Sequence, residues 1–114
     1  LGEKWHQATG LPIPLGVDLV SRHINDELAQ QLANASLASI NYARDHEDEA
    51  LEYALSFGRG IDSDDGKKFV RMYVNEDTVD MGQEGRDALE KLFSMAVERG
   101  VITKLPKLDI VQAE

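Results

Sequence analysis

Three histidines, His6, His23 and His46, are the side chains of this sequence best suited to proton transfer near neutral pH. A metal site on a helix needs two of them about one helical turn apart. Their positions in the chain provide no such pair. We therefore predict that each histidine is a surface or helix-cap residue.

Two acidic runs, DHEDE at 45–49 and DSDD at 62–65, invite a calcium-binding interpretation. A calcium loop has a glycine at its sixth position and a glutamate at its twelfth. Counted from Asp62, these positions hold Lys67 and Tyr73, so the pattern fails twice. Phosphate-loop and nucleophile-elbow motifs are also absent from the sequence. We predict no metal site, and we expect the acids to lie at the positive N-terminal ends of helices.

The stretch GLPIPLG at residues 10–16 is the most unusual in the chain. Its prolines fix the backbone path, and its glycines permit close approach of a ligand or another chain. One interpretation is a rigid connector between a helix and a strand. The other is a stiff crossover between two lobes, whose backbone borders a ligand cleft. The residues alone favour neither.

The elements that would position this stretch are mostly helical. Partial alternation of Leu15, Val17 and Leu19 predicts a strand over 15–22. Hydrophobic periodicity and capping residues predict five helices. The first covers 1–9 and ends at Gly10, the second begins at Asn25 or Asp26, and the third begins within 45–49 and ends at Gly58 or Gly60. The fourth begins at Asp62, and the fifth ends at Glu98 and Arg99. Gly100 is predicted to be a left-handed helix cap, with Val101 or Ile102 packed behind it.

Two features of these helices concern packing. Core positions are predicted for Trp5, Phe69, Val70, Tyr73, Val74 and Phe93. Gly66 lies inside a predicted helix and weakens it by roughly 1 kcal/mol relative to alanine.

Composition excludes several classes of protein. The net charge of −9 opposes binding to nucleic acid, because like charges repel. The absence of cysteine removes disulfides and zinc–thiolate sites and is consistent with a reducing, cytoplasmic location. No apolar run approaches the roughly 20 residues that cross a membrane, so we predict no membrane partner.

The sequence begins LGEKW without a methionine, and its predicted strand has no obvious partner. Both observations favour a fragment of a longer protein. A strand with unpaired edges and exposed apolar faces would favour self-association of the isolated chain.

Three stretches together resemble one enzyme family: LGEKW…TGLPIPLG over 1–16, YVNEDTVDMG over 73–82 and GQEGRDALEKL over 82–92. In order and spacing, from Leu1 to about Ile102, they resemble the C-terminal part of 1,4-dihydroxy-6-naphthoate synthase, of the futalosine route of menaquinone biosynthesis. The most specific parts are PLG at 14–16 and YVN at 73–75. The related chorismate dehydratase branch shares the opening LGExW…TGLP pattern and ranks second.

The resemblance implies a periplasmic-binding-protein-like type 2 fold with two α/β lobes around a cleft. The chain would be an α/β fragment of it, mostly helical with one or two strands. Residues 1–24 would form the lobe-crossover segment and a strand, and residues 25–114 the C-terminal helical part of the first lobe. Pro14, Leu15 and Gly16 would line the substrate cleft.

The resemblance also implies a lyase reaction, in which cyclic dehypoxanthine futalosine is split into 1,4-dihydroxy-6-naphthoate and a three-carbon product. The family's histidine motif, I-H-E-G-like, lies upstream of the LGEKW region, and none of the three histidines here matches it. Lys4 and His6 also depart from the family pattern. We therefore expect no catalytic residue and no cofactor in this chain, a small-molecule substrate for the full-length protein, and no activity of the chain alone.

Two alternatives to the lyase remain. One is a non-catalytic solute-binding protein for a small anion, and the other is a purely structural helical domain of a larger enzyme.

Overall fold

The computed structural model describes residues 1–58 and 60–114. Its elements in chain order are α1 Gly2–Thr9, α2 Asp26–Asp45, α3 Glu47–Leu55, α4 Ser63–Tyr73, α5 Glu76–Val79 and α6 Gly82–Glu98. They form two compact units, the first made of Leu1–Leu19 with Met81–Ile110, and the second of Val20–Asp80 with Val111–Glu114. None of the described helices is long and apolar enough to cross a membrane.

The predicted starts of α2 and α4 are confirmed, and each is capped by the predicted side chain. The Asn25 side chain accepts a 2.8 Å hydrogen bond from the backbone N–H of Leu28 at the start of α2. The Asp62 carboxylate accepts 3.0 Å bonds from the N–H groups of Asp64 and Asp65 at the start of α4. Each cap satisfies N–H groups that have no partner within the helix.

In the first unit, α6 buries Ala88 and Leu89 and ends as predicted. Gly100 adopts a φ of 69°, and the N–H of Val101 donates a 2.8 Å bond to the Ala96 carbonyl. This pattern closes the helix with a left-handed residue that favours glycine. The segment 103–110 contains no helix, as predicted.

In the second unit, α3 packs closely on α4 around Gly66. Gly66 is buried, and a Cβ atom added to it would lie 2.4 Å from Leu55 Cδ2. Leu51 of α3 is also buried. The glycine inside α4 therefore provides the space into which Leu55 packs, in addition to its effect on helix propensity.

Ion pairs across the same helix pair centre on Glu47. Arg71 donates hydrogen bonds of 2.7 Å from Nε and 2.9 Å from Nη2 to its two carboxylate oxygens, and Lys67 Nζ lies 3.0 Å from Oε2. The hydrogen bonds from Arg71, and secondly from Lys67, lower the pKa of Glu47 from 4.5 to about 2. The same partner raises the pKa of Arg71. Another ion pair joins Arg44 of α2 to Glu76 of α5.

The short helix α5 is not among the elements predicted from the sequence, and it follows from a capping box in the YVNEDT stretch. The Asn75 side chain accepts a 2.9 Å bond from the N–H of Asp77, and the Thr78 hydroxyl accepts a 3.1 Å bond from the N–H of Asn75. Thr78 Oγ1 also donates to the Tyr73 carbonyl, and Asn75 Nδ2 donates to that of Met72. In this structure Asn75 is a structural cap of the turn between α4 and α5.

The mostly helical prediction is confirmed, but the one or two strands are not observed. Residues 15–22 form no strand, and no strand occurs anywhere in residues 1–58 and 60–114. A strand is stabilised by the backbone of a neighbour, and no backbone hydrogen bond joins residues 15–20 to another described segment. The alternating side chains of this stretch therefore have no sheet to join in this chain.

The core prediction is wrong for two aromatic residues of α4, Phe69 and Tyr73. Phe69 is 53% exposed and Tyr73 49% exposed, and their rings contact one another with centroids 4.8 Å apart. Val74 is also exposed, whereas Val70, Trp5 and Phe93 are half-buried. The hydrophobic period indicates the apolar face of α4, but much of that face stays exposed, and α3 packs on it at Gly66.

The chain exposes a large surface for its size. Its accessible area is 9156 Å². Two separate compact domains with the lengths of the two units would expose about 7,500 Å². Much apolar area is therefore left in contact with water. The predicted division into residues 1–24 and 25–114 concerns the place of the chain in a longer fold, and it stays a prediction.

Candidate functional site

The connector, residues 10–16, begins where α1 ends. Gly10 has a φ of 73°, and its N–H donates a 2.7 Å bond to the His6 carbonyl. This backbone conformation favours glycine, since a Cβ would be strained there. The chain thus leaves α1 by a tight turn that brings the connector back beside the helix.

Two side chains of α1 hold the start of the connector, and we call this arrangement the clamp: Trp5 and Thr9 with their partners Leu11 and Pro12. Trp5 Nε1 donates a 2.8 Å hydrogen bond to the Pro12 carbonyl. The Thr9 hydroxyl donates to the Trp5 carbonyl at 2.9 Å and accepts from the N–H of Leu11 at 3.1 Å. Both clamp side chains are half-buried.

Beyond the clamp, the connector opens to solvent. Pro14 is half-buried, Leu15 is 61% exposed, and a Cβ added to Gly16 would meet no atom within 4 Å. Neither the Leu15 nor the Gly16 N–H is hydrogen-bonded to another described residue. The predicted cleft lining by these three residues stays a prediction.

The chemistry available at the connector is binding, since residues 10–16 contain no titratable side chain. Leu15 offers apolar contact, and its N–H and that of Gly16 can donate to a carboxylate or carbonyl oxygen. Pro12 and Pro14 fix φ on either side of Ile13, which limits how far the open end can move. The arrangement suits a rigid wall of a binding cleft and cannot by itself transfer a proton.

The histidines occupy local structural positions. His6 Nδ1 lies 3.3 Å from the Leu11 carbonyl oxygen. His46 lies at the junction of α2 and α3, stacked on Tyr42 with ring centroids 4.0 Å apart, and its Nδ1 is 2.9 Å from the Tyr42 carbonyl oxygen. His23 is exposed. Within residues 1–58 and 60–114, no group of three or more His, Asp or Glu side chains is arranged to hold a metal ion.

An open groove of roughly 320 Å³ lies between α6 and the segment that follows it. Its lining residues are Glu90, Phe93, Ser94, Leu105, Pro106 and Leu108. The lining is mixed, and its side chains include one carboxylate, of Glu90, and one hydroxyl, of Ser94, so it lacks a paired acid and base for proton transfer.

The sequence pattern points to residues 14–16, whose cleft position stays a prediction, but it does not indicate the clamp. It predicts a core position for Trp5 and no role for Thr9. A signal was present, because Trp5 and Thr9 are four residues apart and therefore share one face of α1. That face ends at the glycine turn, where a hydroxyl and an indole N–H can reach the returning backbone.

Comparison with known proteins gives a consistent result. The sequence profile described as Menaquinone biosynthesis matches residues 1–98. A 1,4-dihydroxy-6-naphthoate synthase from Thermus thermophilus is 36% identical over 107 residues, which cover 94% of this chain and 39% of that protein. The enzyme of the same name from Streptomyces coelicolor is 32% identical over 105 residues, covering 92% and 37%.

A solved structure supports the same relationship. The crystal structure of an Archaeoglobus fulgidus protein superimposes with a TM-score of 0.84 and 37% sequence identity, over 88% of this chain and 38% of that one. The chain thus spans about two fifths of the length of the relatives it matches.

Proposed function

Because the chain belongs to the menaquinone biosynthesis family, we propose that it is the C-terminal part of a 1,4-dihydroxy-6-naphthoate synthase. The complete protein would split cyclic dehypoxanthine futalosine into 1,4-dihydroxy-6-naphthoate and a three-carbon product. The observation that carries the proposal is similarity over 94% of this chain to an enzyme of that name. The cytoplasmic location is part of the same proposal.

The exposed apolar surface supports a place within a larger fold. Leu15, Val17, Leu19 and Val20 are 61%, 46%, 90% and 42% exposed. We propose that the complete protein is a two-lobed, periplasmic-binding-protein-like fold, in which residues 15–22 pair with strands supplied by the rest of the enzyme. Its remaining helices and strands would cover the exposed rings of Phe69 and Tyr73.

Within that fold, Pro14, Leu15 and Gly16 would border the substrate cleft where the chain crosses between lobes. The substrate would pack on Leu15 and accept hydrogen bonds from the N–H groups of Leu15 and Gly16. These residues would bind and orient the substrate, and the proton-transferring group would lie outside this chain. Its partner is accordingly a small-molecule substrate, with neither nucleic acid nor membrane involved.

The direct test is an assay with cyclic dehypoxanthine futalosine. We expect the complete protein to release 1,4-dihydroxy-6-naphthoate and the purified chain alone to give only background. The function is wrong if the complete protein gives no naphthoate. Turnover of chorismate instead would favour the dehydratase branch, and binding of a small anion without turnover would favour a solute-binding protein.

The cleft position is tested separately with Gly16 variants of the complete protein. Gly16→Val places a branched side chain in the open space and should weaken substrate binding, with little effect on folding. Gly16→Ala is the matched smaller step and should have a smaller effect. Normal substrate binding by the valine variant would remove residues 14–16 from the cleft.

A further inference from the structure

Side chains of α1 hold the first residues of the connector. Among residues 1–58 and 60–114, the side-chain hydrogen bonds to the backbone of Leu11 and Pro12 come from Trp5 and Thr9 of the clamp and from His6. The Trp5 indole and the Thr9 hydroxyl approach from the same helix face. The backbone of residues 11 and 12 is therefore fixed relative to α1.

Because the connector is stiff, the placement of Leu15 and Gly16 depends on the placement of residues 11 and 12. Between the clamped Pro12 carbonyl and the open end, the ring of Pro14 fixes one φ near about −65° and disfavours helical backbone at Ile13 before it, so the rotational freedom of this stretch is reduced. Residues 15 and 16 have no backbone hydrogen bonds of their own in the described structure. Their direction is thus set by what holds residue 12.

From this geometry we propose that Trp5 and Thr9 are positioning residues that orient the Leu15 and Gly16 N–H groups for the substrate. The proposal rests on the proposed function, because it takes residues 14–16 as part of the substrate cleft. Neither side chain needs to touch the substrate. They act through the Pro12 carbonyl and the Leu11 N–H.

The experiment compares four variants of the complete protein with the wild type. Trp5→Phe removes the indole N–H that donates to the Pro12 carbonyl, and Thr9→Val removes the hydroxyl that accepts from the Leu11 N–H. Thr9→Ser keeps the hydroxyl. Ser56→Ala is the matched control, since it removes a 2.6 Å bond from a hydroxyl to the Tyr53 carbonyl in the second unit. Thermal melts establish that every variant is folded.

We expect Thr9→Val and Trp5→Phe to raise KM roughly fivefold, the equivalent of one net hydrogen bond. The value of kcat should change less, because the proton-transferring group is untouched. Thr9→Ser and Ser56→Ala should keep the wild-type KM. An unchanged KM in both Thr9→Val and Trp5→Phe overturns the proposal.

Hydrogen exchange separates failure of the clamp from failure of the function. Loss of the Thr9 hydroxyl should speed exchange at the Leu11 amide in Thr9→Val, because that hydroxyl accepts the bond from the Leu11 N–H, but exchange should not change in Thr9→Ser or Ser56→Ala. If the wild-type protein does not turn over the substrate, the proposed function fails and exchange alone decides on the clamp. Faster exchange confined to Thr9→Val then supports it, and equal exchange in all variants overturns it.

Discussion

Replacement of Gly66 by alanine tests whether the packing of α3 on α4 outweighs helix propensity. In an exposed helix this substitution stabilises by about 1 kcal/mol, because glycine loses more backbone freedom on folding. At this position the new Cβ would lie 2.4 Å from Leu55 Cδ2 and 3.5 Å from Leu55 Cγ. The leucine end must therefore move.

The expected size of the effect follows from two opposing terms. Overpacking of a buried contact costs about 1–3 kcal/mol, against the gain of about 1 kcal/mol in propensity. We expect Gly66→Ala to leave the free energy of unfolding unchanged or lower it by up to about 2 kcal/mol. In a Leu55→Val background the clashing Cδ2 is removed, and the remaining neighbours of the new Cβ, a γ carbon at the position of Leu55 Cγ and Ile61 Cγ2, lie at the ordinary contact distances of 3.5 Å and 3.7 Å. There the same substitution should stabilise by about 1 kcal/mol.

The assay is urea unfolding of the wild type, the two single variants and the double variant. The coupling energy between positions 55 and 66 should be about 1–3 kcal/mol, since the two residues are in contact. If Gly66→Ala stabilises both backgrounds equally, by about 1 kcal/mol, then Leu55 does not pack on Gly66 and the reasoning is refuted.

Three further predictions concern charge, backbone and assembly. Because the pKa of Glu47 is lowered from 4.5 to about 2, its ion pairs contribute fully above pH 4.5 and are lost as the pH falls towards 2. Glu47→Gln should therefore flatten the fall in melting temperature over that window, and an unchanged pH profile would contradict this. Gly10→Ala should destabilise by about 1 kcal/mol because of its positive φ, whereas Gly16→Ala should shift stability by less than about 0.5 kcal/mol in urea unfolding. Finally, the isolated chain should self-associate in sedimentation at micromolar concentration, because burial of apolar surface outweighs diffuse repulsion; a clean monomer, unchanged between low and high salt, would disprove it.

The features that could be predicted from the sequence are those decided locally. Asn25, Asp62 and Gly100 each satisfy backbone groups within one helical turn, so residue type and position suffice to place them. The four-residue helix α5 also depends on a local cap, made by Asn75 and Thr78. It is not predicted because its four residues are too few to show a hydrophobic period, and none of them is buried.

The features that could not be predicted depend on distant partners. Leu15, Val17 and Leu19 alternate as a strand does, but alternation cannot supply the neighbouring backbone. Phe69 and Tyr73 follow the helical period, but periodicity does not say how much of the face another element covers. The clamp depends on a contact between residues seven apart across the end of a helix, Trp5 and Pro12.

The indole that holds Pro12 is the single tryptophan of the chain. Excitation at a wavelength that indole absorbs and the three tyrosines do not therefore gives fluorescence from one known position, beside the connector. The clamp thus contains its own fluorescent reporter, since the hydrogen-bonding state of the indole N–H influences its emission. Movement of residues 10–16 can be followed in real time, without a label, by the wavelength and intensity of that fluorescence.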